Sequence, residues 1–158
     1  MIPPVRAAIQ LRDLYTSESI SLDLQATTKD GVLAELIGLL GLDHRAAETL
    51  LRVLQRRESL GSTGVGRGIA IPHSRSLVTN RLRLAYGHHR AGLDYRAVDG
   101  RPVHDLFLIV APPLEVSNQY LPVLGRIAQF AKDADIGERL AGLRTPSDFF
   151  RLLEEKGV

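Results

Sequence analysis

Arg57-Glu58-Ser59-Leu60-Gly61-Ser62-Thr63-Gly64-Val65-Gly66-Arg67-Gly68-Ile69-Ala70-Ile71-Pro72-His73-Ser74-Arg75 is the stretch on which the rest of the chain is organised. Four glycines fall within eight residues, so the backbone there is free to take left-handed angles and to approach a ligand closely. Ser62 and Thr63 add hydroxyls, and successive free N–H groups in such a loop form an anion-binding nest. Ile69-Ala70-Ile71 reads as a short buried strand, ended by Pro72, which fixes its own φ and lacks an N–H. His73 is thereby delivered at a strand end beside a loop suited to phosphate, with Arg57, Arg67 and Arg75 near it in sequence. The segment combines a nitrogen nucleophile with an anion cradle.

A glycine-rich loop invites a nucleotide reading, and this one misses it. Gly61-x4-Gly66 has the first half of the P-loop spacing, but Arg67-Gly68 stands where Lys-Ser/Thr is needed. A P-loop follows a strand and opens a helix. Here the preceding segment has a helical pattern and no helix opens at Gly68. ATP or GTP binding is disfavoured.

Upstream of the loop, Asp43 caps a helix whose apolar side is Ala46, Ala47, Leu50, Leu51 and Leu54. Arg57 falls in its last turn, where a cation is favourable through the helix dipole alone. Before it, Thr28 caps a helix carrying Val32, Leu33, Leu36, Ile37 and Leu40 and ending at Gly41. Residues 11–15 make one helical turn, and residues 19–24 alternate as a half-buried strand does. Downstream, residues 81–88 read as a strand and 94–98 as a second short one, followed by the Asp99-Gly100 turn signal. The nearly continuous apolar run 103–110 suits a central strand. An amphipathic helix follows, with Leu121, Leu124, Ile127, Ala128 and Ala131 on its apolar side. Because Pro122 lacks an N–H, that helix begins about one turn earlier at most, which puts Tyr120 near its anion-friendly N-terminus. A short helix covers 136–140. Thr145 as cap and Pro146 at the first position open the last one, with Phe149, Phe150, Leu152 and Leu153 facing inward. This mixed order predicts an α/β fold: a single layered domain over residues 1–158, core about 11–153, with a mixed β-sheet flanked by helices.

Composition narrows the function classes. The chain has 158 residues, 44% of them hydrophobic, enough for one adequate core. It has no cysteine, which excludes disulfides and thiolate metal sites. Met1-Ile2-Pro3-Pro4-Val5-Arg6 lacks the apolar core of a signal peptide, and the longest apolar run is too short to span a bilayer, so a cytoplasmic protein without membrane insertion is expected. Net charge is only +2, the basic residues are scattered and aromatics are 5%, which argues against nucleic acid as a partner.

The run Arg-Glu-x-x-Gly-Ser-Thr-Gly-Val-Gly-x-Gly-Ile-Ala-Ile-Pro-His resembles the signature of enzyme IIA components of the phosphotransferase system, the class containing fructose, mannitol and nitrogen-regulatory IIA proteins. The motif is long and nearly unbroken, and weaker similarity extends over residues 11–153. An Asp-Gly-x-Pro-Val segment before the central strand, here Asp99 to Val103, adds to the resemblance. It implies that His73 accepts a phosphoryl group from the histidine-containing phosphocarrier protein. It also implies that Arg57 sits near that histidine; the loop N–H groups with Ser62, Thr63 and Gly64 are then the groups expected, on their own chemistry, to hold the phosphate together with Arg57, and no cofactor is expected. Members of the class usually carry a second histidine just before a helical Leu-x-x-Leu pattern. Here Tyr120-Leu121-Pro122-Val123-Leu124 puts a tyrosine there, with one O–H donor and no positive charge.

The remaining histidines carry less. His44 reads as a surface residue at a helix start. His88 and His89 are adjacent, so on a strand they point to opposite faces, and no metal-binding spacing accompanies them. His104, one residue into a strand, is not placed by the sequence. Two functions follow. One is a phosphoryl carrier passing its group to a sugar-specific IIB component. The other is a nitrogen-type regulatory module acting on target proteins, in the extreme case one that binds independently of phosphorylation and has lost efficient transfer. A chain with no IIB or membrane segment attached, and with Tyr120, leans to the regulatory side.

Overall fold

The sheet is built around one strand that the helices bury on both faces. A computed structural model describes residues 9–114 and 118–158; the Met1-to-Arg6 segment read above for a leader lies outside them. Strand β6 (Val103–Ala111) is buried at every position but His104, as a continuous apolar run demands. It pairs antiparallel with β5 (Arg83–Leu93), which pairs parallel with β1 (Ile20–Ser21). On its other edge β6 pairs parallel with β3 (Ile69–Ala70) and then with β4 (His73–Arg75). Strand β2 (Gly64–Gly66) closes the sheet as the antiparallel partner of β3. The mixed sheet expected from the element order is present, with strand order β1-β5-β6-β3-β2 and β4 beside β6.

The period-2 alternation of the strands sorts side chains into two cores. Ile69, Leu84, Tyr86, Phe107 and Ile109 face α3 (Tyr120–Ala131), α4 (Ile136–Ala141) and α5 (Pro146–Lys156). Ala70, Ala85, Leu106, Leu108 and Val110 face α1 (Lys29–Gly38) and α2 (His44–Ser59). Each large apolar side chain taken fully out of water contributes about 1.5–3 kcal/mol. The caps read from sequence are in place. Thr28 accepts from Gly31 N–H, Asp43 from Ala46 N–H at 2.8 Å, and Thr145 forms a capping box with Asp148.

Several elements differ from expectation: of residues 19–24 only Ile20–Ser21 form strand, and the strand expected over 81–88 runs on to Leu93. Residues 94–98 are not a strand: Arg96 has φ 57, which breaks the alternation, and the segment instead crosses the β2–β3 hairpin, Val98 N–H donating to Gly64 C=O at 3.0 Å. Helix α1 ends at Gly38, and the chain tightens through i→i−3 bonds to Leu36 and Ile37 before Gly41 turns it at φ 68. On α3 the buried residues are Tyr120, Val123, Ile127, Phe130 and Ala131, while Leu121 is 68% exposed. Ile127 and Ala131 face inward as expected and Leu124 and Ala128 pack partly against the core, but at the start of the helix Tyr120 and Val123 turn inward in place of Leu121.

Candidate functional site

The glycine loop is held from below by a carboxylate. Glu58, in the last turn of α2, turns inward with its side chain 6% exposed and pairs with Lys29 Nζ at 2.8 Å. It also accepts the Thr63 N–H at 3.0 Å, the Thr63 hydroxyl, and the Tyr95 hydroxyl at 2.7 Å. Lys29 stands 4.2 Å over the Tyr95 ring and donates to the Tyr95 carbonyl. Burial pushes the Glu58 carboxyl up, but the hydrogen bonds from Lys29, Thr63 and Tyr95 together outweigh it and hold it below the ordinary carboxylate range. Ser62 Oγ donates to the Tyr95 carbonyl at 3.2 Å and accepts the Gly64 N–H at 3.0 Å. A Cβ on Gly64 would lie 2.8 Å from Ala97 Cα, so glycine there is required by the crossing backbone. Ser62, Thr63 and Gly64 are thus brought together, but with these donors directed into the protein.

His73 follows from the break at Pro72. Strands β3 and β4 run along one edge of β6 and are interrupted at Ile71-Pro72, where the Pro72 carbonyl accepts Ile109 N–H at 3.0 Å. The half-buried His73 ring folds back so that Nδ1 meets the Ile71 carbonyl at 2.6 Å. A carbonyl only accepts, so this partner assigns the proton to Nδ1 and leaves the lone pair on Nε2, which has no partner among the described residues.

Tyr120 and two arginines surround this ring. Tyr120, at the first turn of α3, meets His73 edge to face with centroids 6.4 Å apart. Arg75 is on the same side of β4 as His73 and lays its guanidinium 4.6 Å over the Tyr120 ring while donating to the Pro112 carbonyl at 3.0 Å. Arg57 donates to the Gly61 carbonyl at 2.8 Å, so it does clamp the helix end, yet its charge also reaches the Tyr120 phenol. Burial raises the Tyr120 hydroxyl above its ordinary value, opposed by Arg75 and Arg57, and it remains a protonated donor. Leu60 after α2, Leu77 after β4, Leu114 after β6 and Leu121 in α3 are each 68% exposed or more, in segments that follow or flank the elements carrying Arg57, His73 and Tyr120. Exposed apolar side chains of this kind are available to a docking partner.

The other histidines lie elsewhere. His44 is exposed and pairs with Glu48. His89 meets the Ala26 carbonyl through Nε2, while His88 turns to the opposite face and binds Asp105. His104 sits at the far end of β6 from Ile109, the register partner of His73. Glu58, Lys29 and Tyr95 were not singled out by sequence reasoning, since no spacing announces a contact between Tyr95 and Glu58 across 37 positions. Arg75 carried a usable signal: two residues from His73 on a strand means the same face.

An α/β layered sheet with a strand-end histidine beside a glycine loop defines a class, and sequence comparison agrees on it. Residues 13–156 match the family described as "Phosphoenolpyruvate-dependent sugar phosphotransferase system, EIIA 2", and the chain belongs to that family. It is 32% identical over 147 residues to a nitrogen regulatory protein of Bradyrhizobium diazoefficiens, covering 90% of this chain and 94% of that one. It is 31% identical over 136 residues to the fructose-specific EIIABC component of Bacillus subtilis, covering 84% of this chain but only 21% of that longer protein. Among solved structures, the nitrogen regulatory protein IIA-Ntr of Neisseria meningitidis superposes with TM-score 0.82 at 27% identity, over 90% of this chain and 98% of that one. Among the described residues, no helix is long and apolar enough to cross a membrane.

Proposed function

We propose that the protein carries a phosphoryl group on Nε2 of His73, taken from a histidine-containing phosphocarrier protein. The observation that carries this is the Nδ1–H···O=C bond to Ile71, which fixes the ring and leaves Nε2 as the nucleophile. In the transfer the Nε2 lone pair forms a bond to phosphorus as the donor's N–P bond breaks, the electron pair returning to the donor imidazole. Such a transfer needs chiefly alignment and charge stabilisation. Arg57, Arg75, the Tyr120 hydroxyl and the N-terminus of α3 supply the positive field. Ser62, Thr63 and Gly64 form the wall of the site. For Thr63 or Gly64 to bind the phosphate through its N–H, that donor must leave Glu58 or Ser62. The exposed leucines seat the donor and keep water from the reacting atoms.

The acceptor of the group is either a sugar-specific IIB component or, in the reading favoured here, a regulatory target that responds to the phosphorylation state. Two observations favour regulation: the Tyr120 phenol where a second imidazole usually stands, and the nitrogen regulatory relative whose length the chain nearly covers. No nucleic acid and no membrane insertion enters this role, and a cytoplasmic location suits it. The test is incubation with enzyme I, phosphocarrier protein and phosphoenolpyruvate, followed by intact mass. A gain of one phosphoryl group is expected. No gain with several phosphocarriers would leave a binding module that has lost the reaction.

A further inference from the structure

A second polar site lies at the opposite end of β6 from His73. A cavity of about 670 Å³ opens between the far ends of β5 and β6, the turn of the β2–β3 hairpin, and α4 with the loop after it. That is within the range of small-molecule sites. Its ionisable lining is Arg67, Arg90, Arg144, His88, His104 and Asp105. Asp105 is the one carboxylate, and it is covered: 3% exposed, it accepts from the Tyr86 hydroxyl at 2.6 Å and from His88 Nδ1–H at 2.7 Å. His104 Nδ1 is anchored on the His89 carbonyl at 2.9 Å, and the two imidazoles lie within 25° of parallel with centroids 6.3 Å apart. Each ring therefore has one nitrogen fixed in the protein, while its Nε2 has no partner among the described residues.

The cations are likewise without counter-charges. Arg90 and Arg144 are exposed, and neither guanidinium makes a hydrogen bond or ion pair among the described residues. Arg67 turns one nitrogen to the carbonyls of Lys132 and Asp133 at 3.0 and 3.1 Å. It does so from φ 60, in a two-residue hairpin turn with Gly68 at φ 80, where asparagine is the residue the backbone favours. Gly92, at φ 86, makes room for the His104 ring, since a Cβ there would lie 2.9 Å from Cε1. Three guanidiniums oppose a metal ion between the two imidazoles and attract an anion.

We propose that this cavity binds a small multivalent oxyanion, an organic phosphate or a polycarboxylate, held by the guanidiniums of Arg90 and Arg144, with the rings of His88 and His104 forming the wall beside it. The site is independent of the role of His73. The test follows backbone amide NMR shifts of the full chain titrated with inorganic phosphate and, separately, with citrate, at constant ionic strength against chloride. Saturable shifts at His88, Arg90, His104 and residues 137–144 are expected, and they persist in His73→Ala. A response to phosphate alone assigns the organic-phosphate class, and one to citrate alone the polycarboxylate class. The double variant Arg90→Gln/Arg144→Gln, which removes no internal contact, keeps its melting temperature and weakens binding at least about tenfold. Shifts that match chloride, fail to saturate, centre on His73, or survive unchanged in the double variant overturn the proposal.

Discussion

At the scale of single residues, the point of interest is Tyr120. A protonated imidazole beside the reacting histidine donates a hydrogen bond and brings a positive charge. A neutral phenol brings only the bond. Arg75, stacked over the Tyr120 ring, returns part of the missing charge. Replacing Tyr120→His is expected to raise the rate of transfer from the phosphocarrier protein by roughly tenfold, the difference between a charged and a neutral hydrogen bond. Stopped-flow or quenched transfer assays measure it, and an unchanged or slower rate would mean that Arg75 and the phenol already suffice.

At the scale of elements, the end of α2 and the glycine loop act as one unit through Glu58. Glu58→Gln keeps the shape but removes the charge that Lys29, Thr63 and Tyr95 surround. A loss of about 2–3 kcal/mol at neutral pH is expected, in line with hydrogen bonds to a charged group. Because the folded-state carboxyl lies below its unfolded value, this contribution is fully present above the ordinary carboxylate range, near 4.3, and is lost as pH falls through the depressed value. The gap in melting temperature between wild type and variant should therefore narrow only in acid; a gap constant from neutral pH down to acid would remove the charge from the explanation. Local signals made much of this level legible. Thr28, Asp43 and Thr145 announce helix starts, and the run before Ala111 announces the central strand. The segment 94–98 was misread because Arg96 takes a left-handed angle that no composition rule gives. The facing of the first turn of α3 was misread because Tyr120 and Leu121 are adjacent and only packing decides which of them turns inward, whereas Ile127 and Ala131 were placed correctly. The loop was legible as a loop. That its serine and threonine turn inward was not, since it depends on Tyr95, distant in sequence.

At the scale of the molecule, one central strand organises both ends. Near Ile109 and Ala111 it holds His73 and Arg75, and near His104 and Asp105 it floors the basic cavity. A phosphoryl group adds roughly two negative charges, and on His73 it would change which partner surface fits. The central claim is that His73 is the acceptor, and the most direct measurement maps the phosphate after incubation with enzyme I, phosphocarrier protein and phosphoenolpyruvate. The wild type should gain a modification labile in acid and stable in base, as a phosphoramidate is. His73→Ala should fold and gain nothing, while His44, His88, His89 and His104 variants keep the gain. Acid-labile phosphate on folded His73→Ala protein would contradict the account.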